Sequence, residues 1–61
     1  MRARELERAL LRAGARFVKS ESSHKTYQAP SGQRFHLCFH HGGAWIGPLA
    51  LRAAWAAMAD G

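Results

Sequence analysis

Sixty-one residues leave room for one domain, 1–61, and no second one. The formal charge is +5, nine Lys and Arg against four acids, and seven of the nine are Arg, the better bidentate partner for phosphate. These bounds exclude a large buried substrate pocket, an intrachain disulfide (Cys38 is the one cysteine) and any run near the ~18 apolar residues that span a membrane. An active site on so small a chain is expected at the surface, suited to a polymer or a protein, and the basic balance makes nucleic acid the first partner class. Met1-Arg2-Ala3-Arg4-Glu5 lacks the apolar core of a signal peptide, so a reducing cytoplasm is the expected compartment.

Residues 2–13 read as a helix. Leu6, Ala9, Leu10 and Ala13 recur at i, i+3, i+4 and i+7, and Gly14 stands where a left-handed residue commonly ends a helix. Arg4, Arg8 and Arg12 form a second row, either a solvated face or a phosphate- or acid-contacting one. Residues 15–20 suit a first strand. Its adjacent Phe17 and Val18 point to opposite faces, so one must be partly exposed or at an edge. Glu21-Ser22-Ser23 is the expected turn.

Residues 24–40 carry the clearest pattern. Odd positions hold Tyr27, Ala29, Phe35, Leu37 and Phe39; even positions hold His24, Thr26, Gln28, Arg34, His36, Cys38 and His40. Period-two alternation on both sides of Pro30-Ser31-Gly32-Gln33 predicts a hairpin with one apolar and one polar face. Matching the apolar faces requires an odd-length loop. Placed at Ser31-Gly32-Gln33, it pairs Tyr27 with Leu37, Ala29 with Phe35 and His24 with His40.

His40-His41-Gly42-Gly43 then reads as a flexible loop and Ala44-Trp45-Ile46 as a short apolar anchor. Pro48 opens a second helix from its first turn. Leu51, Trp55 and Met58 fall at i, i+4 and i+7 with Ala54 between them, and Arg52 is the one charge. Two readings are open for so charge-poor a helix: cover by a partner, or close packing of small residues on the sheet. The expected architecture is α+β, in the order α-β-β-β-α, a three-stranded antiparallel sheet with both helices on one face.

The spacing from Gly14 to Ser23-His24, the hairpin after it, His41 in the following loop and Leu51-Arg52 in the last helix together resemble the HicA family of mRNA interferase toxins. That family has a double-stranded-RNA-binding-domain-like fold and a Gly-Ser-His motif, and the likeness spans nearly the whole chain. The motif's Gly is Ser22 here. The usually lysine-rich loop is Gly42-Gly43-Ala44-Trp45, and Leu49-Ala50 replace the small polar residues before the last helix's Leu. The resemblance implies a toxin of a type II toxin–antitoxin system, a metal-independent endoribonuclease acting on mRNA without a cofactor. It implies His24 as the catalytic residue and a HicB-type antitoxin protein as the partner that covers the active surface.

The chemistry of His24 has its own logic. Strand cleavage by the neighbouring 2′-hydroxyl needs a base and an acid, and imidazole serves in either role near neutral pH. His40, placed opposite by the expected register, is the candidate second imidazole. Ser23, Lys19, Lys25 and Arg34 are the candidate RNA-binding residues, although Lys25 should point to the other face once the strand has begun. Two other readings stand beside the enzyme. One is a zinc site drawn from His24, His36, Cys38 and His40, for which no paired-ligand motif exists. The other is a HicA-like module, weakened or inactive, that binds RNA or an antitoxin without cutting; the missing loop lysines favour it.

Overall fold

The computed structural model describes residues 1–59: α1 (Ala3–Arg12), β1 (Arg16–Glu21), β2 (His24–Gln28), β3 (Arg34–Cys38) and α2 (Pro48–Ala59). Asp60 and Gly61, which close the sequence, lie outside the described residues. The strands form one antiparallel sheet in the order β1-β2-β3. The α+β, α-β-β-β-α expectation is met. No helix among the described residues is long and apolar enough to cross a membrane.

The apolar stripe of α1 buries Leu6 and Leu10 completely. Its C-terminus closes as expected on Gly14, at φ +104, with Gly14 N–H donating to the Leu11 carbonyl at 3.1 Å and Ala15 N–H to that of Leu10 at 3.0 Å. Its N-terminus has no side-chain cap. The loop before α2 caps it instead: Ala3 N–H donates to Ala44 O at 2.8 Å and Arg4 N–H to Gly42 O at 2.9 Å, while Ile46 N–H returns a bond to Met1 O at 2.8 Å. Orphan donors of the first turn are thereby satisfied across the length of the chain. The segment expected to be a flexible loop is a bound clasp. Its apolar anchor is also smaller than expected: Ile46 is buried and Ala44 partly so, but Trp45 projects outward, 68% exposed.

In the hairpin every odd apolar residue, Tyr27, Ala29, Phe35, Leu37 and Phe39, is buried on the face that meets the helices. The register differs from the expected one by two residues. Tyr27 pairs with Phe35, Lys25 with Leu37 and His24 with Cys38, so His24 does not face His40. A shift of two preserves both faces, so the core cannot discriminate between these registers; the turn does. Ala29 N–H donates to Gln33 O at 2.8 Å and Gly32 N–H to Ala29 O at 2.8 Å, which makes Pro30-Ser31-Gly32 the loop. Its third residue needs a positive φ, and Gly32 supplies it at +100. The loop Ser31-Gly32-Gln33 would have put Gln33 there.

Tyr27 is the centre of the core. Its ring meets Phe17 edge-on and Phe35 stacked, both at 5.7 Å between centroids, and its hydroxyl donates to the Glu7 carboxylate on α1. Val18 is the extra residue of a bulge between the Phe17–Tyr27 and Lys19–Thr26 pairs. The bulge lies on an edge strand, and there Phe17 remains half exposed. In α2 the inward stripe is made of small residues: Ala54 and Ala57 are buried and Leu51 and Met58 partly buried, with Trp55 at the margin. Neither Trp belongs to the buried core. The outer side, Leu49, Arg52, Ala53 and Ala56, is exposed and apolar except for Arg52.

Candidate functional site

The outer face of the sheet is built by pairing across three strands. It consists of three rows: Arg16, Gln28 and Arg34; Lys19, Thr26 and His36; Glu21, His24 and Cys38. The bulge at Val18 brings Lys19 onto this face, since it advances β1 by one residue relative to β2. The β1–β2 turn is as short as a hairpin allows. Glu21 pairs with His24, leaving Ser22-Ser23 as the two-residue loop, and Ser22 sits at φ +57. That left-handed conformation costs an L-residue roughly 1–2 kcal/mol and is the natural place for glycine. Ser22 holds that backbone shape without glycine's freedom.

Lys19, Glu21, His24, Thr26 and His36 line one open depression of about 320 Å³ on this face. His24 and His36 are diagonal neighbours, each beside the other's strand partner. The His36 ring is positioned through Thr26: Thr26 Oγ1 lies 3.0 Å from His36 Nδ1, and Thr26 is itself buried in the middle of the central strand. That bond leaves His36 Nε2 as the nitrogen open to a ligand. Lys19 Nζ lies 2.9 Å from Glu21 Oε1, the one ion pair among the described residues. The Lys19 ammonium, through this hydrogen bond and its charge, holds the Glu21 carboxyl below the usual carboxylate range, with His24 adding a smaller pull in the same direction. Ser23 Oγ lies 3.6 Å from Cys38 Sγ, and Ser23 O accepts from Phe39 N–H at 2.9 Å, so the turn is tied to the end of β3.

Of the candidate residues, the depression gathers His24 and Lys19; Ser23 is not among its lining residues. Lys25 turns to the other face, as strand alternation required; its ammonium lies 4.9 Å from the Phe39 ring centroid and 3.2 Å from Ser20 Oγ. Arg34 shares the outer face but sits beside Gln28, four residues along β2 from His24, or roughly 13 Å at the usual strand rise. His40 lies beyond β3 in an exposed turn. Among the described residues no three His, Cys, Asp or Glu side chains gather as metal ligands.

Three members of the depression, Glu21, Thr26 and His36, were not candidates for RNA chemistry on sequence grounds. A two-residue Ser22-Ser23 turn is the signal that would have placed Glu21 opposite His24. The correct hairpin register would have placed His36 diagonally from it. Against protein-family models, curated proteins and solved structures, the chain finds no match.

Proposed function

We propose that the chain is a HicA-like endoribonuclease, a toxin module that cuts mRNA at the depression holding His24. The observation that carries this reading is the meeting of two imidazoles, His24 and His36, and one ammonium, Lys19, in a single open depression on the outer sheet face. The depression is open, so a polymer backbone can reach it, and two imidazoles supply the base and the acid that metal-independent cleavage requires. One imidazole takes the proton of a 2′-hydroxyl, and the 2′-oxygen attacks the adjacent phosphorus. The bond from phosphorus to the 5′-oxygen breaks, and the second imidazole protonates that leaving oxygen. The products are a 2′,3′-cyclic phosphate and a 5′-hydroxyl. Lys19 stabilises the charge that builds on the phosphoryl oxygens. His24 keeps the central role that the family resemblance gives it; the second role passes from His40 to His36. The left-handed Ser22 supports the same resemblance, since it places the motif's glycine position at a backbone that favours glycine.

The charge-poor outer side of α2, where Leu49 and Arg52 are exposed and Trp55 stands at the margin, is the surface for a HicB-type antitoxin, and the setting is cytoplasmic. A second reading has one observation in its favour. With Lys25 on the other face and Arg34 distant, Lys19 is the only Lys or Arg lining the depression, and Glu21 engages it. That favours a module that binds RNA or an antitoxin and cuts slowly or not at all.

The deciding experiment incubates purified wild type, His24→Ala and His36→Ala with mRNA in EDTA. The wild type should cut, leaving cyclic phosphate ends, and each variant should lose about 10²-fold or more. Full activity in His24→Ala would sink the assignment. Absence of cutting in the wild type, with retained RNA binding, would establish the second reading.

A further inference from the structure

Trp45 is 68% exposed. Its surroundings are organised. The Arg2 guanidinium lies 5.6 Å from the Trp45 ring centroid, and Arg2 Nη1 donates to Gly43 O at 2.9 Å, so the cation is pinned against the ring. The backbones of Arg2 and Trp45 are bridged in antiparallel fashion, which fixes both side chains at one end of α1. Arg4 lies across the same loop. A Cβ on Gly42 would come within 3.3 Å of Arg4 Cβ, and one on Gly43 within 3.5 Å of Arg4 Nη2 and 3.2 Å of His41 Nδ1. Neither glycine has a positive φ, so the pair provides space rather than an unusual backbone, and the Arg4 guanidinium and His41 ring both border the space above Gly43. Gly43 N–H donates to His41 Nδ1 at 3.1 Å. His41 therefore carries its proton on Nε2, directed away from that bond as a free donor.

We infer that Arg2, Arg4, His41 and Trp45 form a nucleotide subsite for single-stranded RNA, in which a base stacks on the Trp45 ring. The neighbouring phosphates meet the two guanidiniums and His41 Nε2–H. Aromatic platforms flanked by cations are how single strands are held without sequence preference. The loop leaves β3 after Cys38, the strand partner of His24, and ends against the first turn of α1, where the subsite lies. The lysines missing from loop 42–45 are thus replaced by arginines from the start of α1. The inference rests on the reading that the ligand is RNA, and on charge it favours RNA over a protein as the occupant of Trp45.

The test measures binding of a labelled 2′-O-methyl oligonucleotide, which cannot be cut because its 2′-oxygen is blocked, by fluorescence anisotropy. Trp45→Ala should weaken binding about 10-fold and Trp45→Phe by less, because a smaller ring still stacks. Arg2→Ala/Arg4→Ala should lower the slope of log affinity against log salt by about 1.4, at ~0.7 for each phosphate that is no longer neutralised. Wild-type affinity in the Trp45→Ala and double-arginine proteins, beside a wild type that binds and cuts, would overturn the subsite alone and leave Trp45 to a protein partner. A wild type that neither binds nor cuts would overturn the RNA reading with it.

Discussion

Tyr27→Phe isolates one buried hydroxyl. The ring is fully buried between Phe17 and Phe35, and phenylalanine keeps its packing against both. What disappears is the bond to the Glu7 carboxylate. Hydrogen bonds to charged groups contribute about 1.5–3 kcal/mol. Glu7 is only partly buried and regains water in the variant, so the expected loss is about 1–2 kcal/mol, near the lower end of that range. Against the roughly 3–9 kcal/mol available to a chain of this length, that is a large fraction. It corresponds to a fall in Tm of about 4–16 °C, at 4–8 °C per kcal/mol. The same hydroxyl sets a pH dependence. Burial, reinforced by the Glu7 hydrogen bond and charge, raises the Tyr27 pKa far above its ordinary value near 10. A raised folded pKa means stability that is fully present below pH ~10 and lost as pH rises, by about 1.4 kcal/mol per unit while only the unfolded chain ionises. Urea melts of both proteins between pH 7 and 11 measure both effects. A variant within 0.5 kcal/mol of wild type at pH 7, or one that keeps the wild-type alkaline slope, would refute the reasoning.

Ser22→Gly should stabilise the domain by about 0.5–1 kcal/mol, since relief of the left-handed strain exceeds the added chain entropy; thermal melting checks it. Gly32→Ala should cost about 1–2 kcal/mol, because the third loop residue of the hairpin then has to hold φ +100 with a Cβ, and chemical denaturation reads the loss. Thr26→Val keeps a buried β-branched side chain but frees His36 Nδ1. Its melting temperature should stay within a few degrees of wild type while cleavage falls and its pH profile shifts; an unchanged profile would show that Thr26 does not position His36. Lys19→Ala removes an exposed ion pair, so the melting temperature should hardly change, while turnover should fall if Lys19 supports the transition state.

The alternation from His24 to His40 made the two faces of the hairpin and its apolar residues legible in the sequence, because burial imposes a period of two on any half-buried strand. It could not reveal which of two registers differing by two residues applies, and that difference decided whether His24 faces His40 or Cys38. Only the demand for a positive φ at Gly32 settles the register, and that is a property of the turn rather than of the core. The Gly42-Gly43 pair looked like slack in the chain. It is instead the room that Arg4 and His41 need, a long-range packing fact invisible to local pattern. Trp55 falls on the apolar stripe read from the sequence, yet Ala54 and Ala57 are the residues of α2 that are buried and Trp55 stays at the margin. Thr26 and His36 had to await the register that pairs them.

The clasp on α1 also sets an order of events during synthesis. Ala3–Arg12 leaves the ribosome well before Gly42–Ile46 does, so the first turn of the helix lacks the carbonyls that will receive the Ala3 and Arg4 amides. A lone ten-residue helix is marginal in water. Until the last third of the chain emerges, α1 is an open end and Leu6 and Leu10 lack a finished core. The domain therefore closes late and nearly all at once, and a nascent chain stalled before residue 46 would remain open to proteases at its beginning.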